Sequence, residues 1–189
     1  VTTNPTLIMK SGRQPRDVYR ELKLMGITDI SMEIVGDAPY IVAEAHKLVR
    51  EFEEVCTIKV PCTREGLLAC RELSKERIRT NVTLVFSAAQ AILAAKSGAT
   101  YVSPFVGRCD DNSVAGLEVV RSIAEVYGRH RVDTQVLAAS IRDVYKVTRA
   151  FYNGASIVTV PPSIFEKMYN HVLTDAGLLQ FDKDWRSFS

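Results

Sequence analysis

Short apolar runs and amphipathic segments take turns along this chain, and that alternation leaves few folds open. The runs are Val1–Asn4, Ile30–Val35, Thr57–Val60, Thr80–Phe86, Tyr101–Val106, Thr134–Ser140 and Ile157–Pro161. Each has strand length and is close to continuously apolar, the pattern of a strand covered on both faces. Between them lie segments of helical period. In 43–52, Leu48 and Phe52 share one stripe at i, i+4 with charges opposite. Ala88–Lys96, Gly116–Tyr127, Val144–Phe151 and the tail from Asp175 onward fit the same pattern, and Ser97-Gly98 and Asn153-Gly154 follow two of these helices as stop signals. Strand–helix alternation of this kind predicts a parallel sheet covered by helices. A doubly wound open sheet would carry a Gly-rich turn after its first strand, and no G-x-G-x-x-G occurs. The spacing of the seven units therefore predicts a (β/α)8 TIM barrel lacking its first strand.

Composition narrows the partners. The chain has 189 residues, 47% hydrophobic and 24% charged, and no linker or charge block divides it, so one domain over 1–189 is expected. Its net charge of +2 is spread along the chain, which excludes a nucleic-acid footprint or a polybasic membrane surface. The longest apolar runs fall far short of a membrane span. No signal-peptide pattern is visible, and the chain opens on Val1-Thr2-Thr3 without an initiator Met, so its native start is expected upstream. Cys56, Cys62, Cys70 and Cys109 form no C-x-x-C pair and no metal spacing, which predicts free thiols in a reducing, cytoplasmic compartment. His46, His130 and His171 have no partner at ligand spacing and read as solvent-facing; no metal is expected.

The runs carry polar residues in or just past the strand, often two apart: Thr2 and Asn4, Asn81 and Thr83, Ser103 with Phe105, Ala138 with Ser140. Residues two apart share a strand face. Glu33 and Lys59 are the two charges placed inside such runs. At the C-terminal ends of barrel strands these side chains would converge on one mouth, where active sites of this architecture lie. Burying an ammonium is costly and lowers its pKa. A lysine so tuned is a neutral amine, a nucleophile toward carbonyls that is suited to Schiff-base chemistry. The structural alternative is that Lys59 leans out of the strand end to pair with Glu33 or Glu65.

Arg108 and Arg142 each lie just past the end of one of two consecutive runs, with Ser140 nearby. Two guanidiniums and a hydroxyl suit a phosphate dianion. Alternatively, Arg108 pairs with Asp110 or Asp111 and Arg142 with Asp143. Asn4-Pro5 also reads as a turn with a helix-starting proline.

Taken in order, VTTNPTLI at 1–8, SMEIVG at 31–36, IKVPCTREGL at 58–67, TNVTLVFSAAQA at 80–91, YVSPFVGRCDD at 101–111, VLAASIR at 136–142 and GASIVTVP at 154–161 resemble the transaldolase family. The resemblance is to its small branch, which also includes the fructose-6-phosphate aldolases. It implies a cofactor-free (β/α)8 enzyme in which Lys59 forms the Schiff base. Glu33 and Thr83 would hold the water that relays protons. Asn4, Asn81 and Ser103 would bind the hydroxyls of a dihydroxyacetone unit, and Arg108, Ser140 and Arg142 the substrate phosphate. The implied reaction moves that unit from sedoheptulose 7-phosphate or fructose 6-phosphate to glyceraldehyde 3-phosphate or erythrose 4-phosphate, as in the pentose phosphate pathway. Glu33 and Phe105 match transaldolases, whereas the aldolases carry Gln and Tyr there. A fructose-6-phosphate aldolase is the first alternative, a non-catalytic sugar-phosphate-binding barrel the second. The family's first strand bears an acid–base aspartate; this chain opens beyond it, so an N-terminal truncation is expected. The family also forms ring-like homo-oligomers, decamers or pentamers, in which C-terminal helices pack on neighbours. Phe181, Trp185 and Phe188 form one stripe that fits such an interface; packing on their own barrel is the alternative.

Overall fold

The computed structural model describes residues 1–188. In chain order its elements are α1 (Pro5–Ser11), α2 (Pro15–Leu24), β1 (Ile30–Glu33), α3 (Ala38–Phe52), β2 (Cys56–Pro61), α4 (Arg64–Lys75), β3 (Thr80–Val85), α5 (Ala88–Lys96) and β4 (Tyr101–Pro104). Then follow α6 (Val106–Asp111), α7 (Gly116–His130), β5 (Gln135–Ala138), α8 (Val144–Tyr152), β6 (Ile157–Val158), α9 (Pro162–Lys167) and α10 (Val172–Arg186). The strands form one parallel sheet in the order β1-β2-β3-β4-β5-β6. A doubly wound sheet reverses its order at a switch point. This one never does, so it is the wall of a TIM-type barrel with part of the ring not supplied by the chain.

Two expected strands are shorter than the apolar pattern suggests. Val1–Asn4 contributes a single parallel bridge, Thr2 to Ser31, before Asn4 and Pro5 turn the chain into α1. At the other end only Ile157–Val158 pair, and Pro161-Pro162 start α9 instead. Between Val1–Thr2 and Ile157–Val160 the wall is open, with a cavity of about 390 Å³ that reaches Asp29, Ser31, Tyr101 and Leu137.

Parity along the strands separates two environments. Ile30 and Met32, Ile58 and Val60, Val82, and Val102 are fully buried and belong to the apolar cluster beneath the helices. The alternating positions are polar: Ser31 and Glu33, Thr57 and Lys59, Asn81 and Thr83, Tyr101 and Ser103. These polar side chains meet one another across strands, which puts them on the barrel's inner face. At its N-terminal end Asp29 accepts from Thr57 Oγ1 at 2.8 Å, Tyr101 OH at 2.8 Å and Arg79 Nη1 at 2.9 Å. A carboxylate with three donors is a satisfied plug for that end.

Helix starts are fixed by side chains just past the strand ends. Asp37 accepts from Tyr40 N–H, Thr63 from Gly66 N–H, Ser87 from Gln90 N–H and Asp143 from Lys146 N–H. Such caps contribute about 1 kcal/mol each. One to five residues separate each strand from the next helix, so the mouth is framed by short, capped connections.

The C-terminal helix behaves differently. α10 buries none of its residues; Phe181 is 70%, Trp185 77% and Phe188 86% exposed. The alternative in which this stripe packs on its own barrel is therefore corrected: the apolar side chains are left uncovered. Among the described residues no helix is long and apolar enough to cross a membrane, and no group of three or more His, Cys, Asp or Glu side chains is placed to hold a metal ion.

Strand β2 ends against α4 at a place only glycine fits. A Cβ on Gly66 would stand 2.0 Å from the Pro61 carbonyl oxygen. Gly66→Ala is expected to lower stability by about 1–3 kcal/mol, as overpacking does. Urea denaturation measures this, and an unchanged midpoint would contradict the packing.

Candidate active site

Burial decides the state of Lys59. The residue is 3% exposed on a strand with every position buried. Its Nζ donates to the Thr3 carbonyl at 2.9 Å and to Glu33 Oε2 at 3.1 Å. The expected alternative pairing with Glu33 thus occurs inside the barrel rather than by leaning out. Glu65 is engaged elsewhere, accepting from Ala38 N–H at 3.0 Å. Desolvation pulls the Lys59 amine below its ordinary pKa; the Glu33 carboxylate opposes this, and the Arg108 charge adds to the downward push.

Asn81 is fully buried beside this pair in the register, where Glu33, Lys59 and Asn81 are successive partners across β1, β2 and β3. Asn81 Oδ1 accepts from Ser103 Oγ at 2.7 Å and its Nδ2 donates to Ser31 Oγ at 3.1 Å. An amide can make four such bonds, so one donor and one acceptor direction stay open. Thr83, two residues further on the same face, is 1% exposed, and its hydroxyl is the one buried side-chain polar atom without a partner among the described residues. An unpaired buried hydroxyl costs about 1–3 kcal/mol. Beyond it β3 bulges: the register shifts between Val82 and Val85, and Leu84 has φ 57°. That turn returns Val85 to the buried apolar side while Thr83 stays inward.

At the mouth, Arg108 makes no ion pair among the described residues; its Cζ lies 4.9 Å from the Phe105 ring centroid, and Phe105 meets Phe86 edge-on at 6.0 Å. Arg142 pairs with Asp111, not with Asp143 as the alternative had it. Asp143 caps α8 instead. Ser140 has φ 59° in the left-handed region, where bulky residues are rare and strain collects at functional sites.

The polar positions singled out in the sequence thus fall into two groups. Lys59 contacts Glu33, and Asn81 contacts Ser103, at the bottom of the mouth. Phe105 with Arg108, and Ser140 with Arg142, stand at its rim. Asn4 is divided: its Oδ1 caps α1 through Leu7 N–H at 2.9 Å, leaving the amide nitrogen and one acceptor direction for other contacts. Two participants were not anticipated. Ser31 lies in the Ile30–Val35 run without being singled out by the pattern, although its parity with Glu33 marks it as inward. The Thr3 carbonyl is a backbone group and has no side-chain signature.

Chemically the site offers a desolvated amine, a carboxylate in contact with it, hydroxyl and amide groups alongside, and a free guanidinium at the rim. Lysine reacts as the neutral amine, and a lowered pKa makes that form a larger fraction at any pH below 10.5. The rate at which trace acetic anhydride labels Lys59 is expected to rise with pH to a midpoint below 10.5. In Glu33→Gln that midpoint should fall further, because the carboxylate that favours the ammonium is gone. An upward move would contradict the opposition of burial and charge described above.

Comparison with known proteins is consistent along the whole chain. The family model described as Transaldolase/Fructose-6-phosphate aldolase matches residues 1–188. A "Probable transaldolase" of Caulobacter vibrioides is 47% identical over 188 residues, covering 99% of this chain and 86% of the relative. Proteins of the same description from Brachyspira hyodysenteriae (45% identical, 99% of this chain, 87% of the relative) and Methanococcus maripaludis (47%, 98% and 86%) are similar to it. Among solved structures, inosine 5'-monophosphate dehydrogenase from Legionella pneumophila superposes with a TM-score of 0.55 at 16% identity, over 72% of this chain and 44% of that one. That likeness is one of fold alone.

Proposed function

Because the chain belongs to the transaldolase/fructose-6-phosphate aldolase family, we propose that it transfers a dihydroxyacetone unit between sugar phosphates through a Schiff base on Lys59. The observation that carries this reading is a lysine amine that is 3% exposed, lowered in pKa and held 3.1 Å from a carboxylate.

The neutral Nζ adds to the C2 carbonyl of fructose 6-phosphate or sedoheptulose 7-phosphate. The carbinolamine loses water to give a protonated imine, with Glu33 exchanging the protons and Thr83 helping to hold the water. The iminium draws in the electron pair of the C3–C4 bond as the C4 hydroxyl gives up its proton, so an aldose phosphate leaves and a three-carbon enamine remains. The enamine carbon attacks the aldehyde of glyceraldehyde 3-phosphate or erythrose 4-phosphate, and water then hydrolyses the new imine to release product. Asn4, Asn81 and Ser103 bind hydroxyls of the dihydroxyacetone unit. Arg108, Ser140 and Arg142 hold the phosphate. Such a reaction belongs to the pentose phosphate pathway and a cytoplasmic setting, and it asks for no cofactor.

Glu33 and Phe105 favour transfer over release of free dihydroxyacetone. A phenyl ring offers the enamine no proton, whereas the tyrosine found at this position in the aldolases does. Borohydride added with fructose 6-phosphate is expected to trap a dihydroxyacetone adduct on Lys59, and Lys59→Arg should abolish it. Turnover should also require erythrose 4-phosphate; equal cleavage without an acceptor would identify an aldolase instead.

The bare stripe on α10 supports a homo-oligomeric ring, because an exposed apolar patch of this kind is a surface for association. Light scattering should report a smaller assembly when residues 175–189 are removed; an unchanged mass would exclude this helix as the interface.

A further inference from the structure

The two guanidiniums at the rim are in different states. Arg108 has no ion-pair partner among the described residues and rests against the Phe105 ring. Arg142 gives Nη1 to Asp111 Oδ1 and Nη2 to Asp111 Oδ2, each at 2.5 Å. This is an end-on fork; it leaves the Nε N–H, together with one N–H on each Nη, free to donate. Gly107 shows where Nε lies. A Cβ built on Gly107 would stand 2.8 Å from Arg142 Nε and 3.0 Å from Ser140 Oγ, so both atoms converge on the space that glycine leaves empty. The backbone there is pinned, since Gly107 N–H donates to the Ser140 carbonyl at 3.0 Å and Val106 N–H to the Ala139 carbonyl at 3.0 Å.

We propose that Asp111 is the positioning residue of the phosphate grip: it fixes Arg142 end-on so that Nε is presented beside Ser140 Oγ, while Arg108 stays free to close on the anion. The inference rests on the sugar-phosphate reading above and adds to it a residue outside the expected contact set.

A carboxylate this close could instead compete with the phosphate for Arg142. Geometry decides against competition: Asp111 occupies the Nη1–Nη2 end of the guanidinium, while the Nε edge beside Ser140 Oγ is left open. Both members of the pair are also about half exposed, at 51% and 50%, so repulsion of an incoming dianion is screened. An Arg142 released from Asp111 would have to surrender its rotamer freedom each time the ligand binds.

The test compares the full chain with its Asp111→Asn variant, by calorimetric titration with inorganic phosphate and by steady-state kinetics with fructose 6-phosphate and unphosphorylated fructose. Losing one preset rotamer-rich side chain should raise the phosphate Kd and the KM for fructose 6-phosphate about five-fold. kcat, and kcat/KM for unphosphorylated fructose, should stay at wild-type values; a merely structural defect would move them too. An unchanged or lower phosphate Kd overturns the proposal. As a second check, Asp111→Asn should add nothing in an Arg142→Lys background, where no planar fork remains to be held. A further five-fold loss there would show that Asp111 acts independently of Arg142. Wild-type protein that binds phosphate without transfer activity would sink the reaction assigned above, yet the phosphate titrations would still read the role of Asp111.

Discussion

Lys59 Nζ sits between the Thr3 carbonyl and Glu33 Oε2 in a place where water has almost no access. Everything around it follows from the cost of putting an ammonium there. Unpaired, the charge would be unsustainable; fully compensated, the amine would stay protonated and inert. One carboxylate and one carbonyl fall between these limits, and the nearby Arg108 charge tilts the balance back toward the neutral form. The opposed contributions of burial and pairing let a group with an ordinarily high pKa share a site with its own counter-ion while its neutral form is favoured relative to a free lysine.

The strand alternation makes that arrangement affordable for the fold. Before the bulge in β3, most even-numbered positions of β1 to β4 hold the apolar layer under the helices, and odd-numbered ones hold an inner polar lane from Asp29 through Asn81 to Ser103. Within that lane nearly every group has a partner, so the buried polarity rigidifies rather than weakens the core. Two of the six non-glycine residues with positive φ stand at its outer end: Leu84 follows Thr83, and Ser140 faces Gly107. Backbone strain of order 1–3 kcal/mol at each is tolerable where the surrounding structure dictates it.

Much of this was legible in the residues. The fold class follows from strand–helix alternation, and the inner lane from polar residues two apart. What escaped has physical reasons. The bulge at Leu84 has no sequence mark, because the position is taken by neither Gly nor Asn. Arg142 sits next to Asp143, and local charge pairing would join them; Asp143 is taken up by the N-terminus of α8, leaving Arg142 for Asp111, 31 residues away. The helices α1 and α9 begin at prolines and are too short for a clear periodic signal. Val1–Asn4 has strand composition, but composition does not show that a proline and a capping asparagine turn the chain after one bridge.

The connections at the mouth carry one more consequence. With one to five residues between each strand and its helix, and four of the six connections ending in a side-chain cap, little chain in them is free to fold over the mouth. Under the Schiff-base reaction proposed above, such a mouth would leave the half-finished reaction held by its covalent bond, and fidelity would become a race at the tethered fragment between an arriving aldehyde and an arriving proton. The identity of the groups within reach of that fragment would then set the outcome.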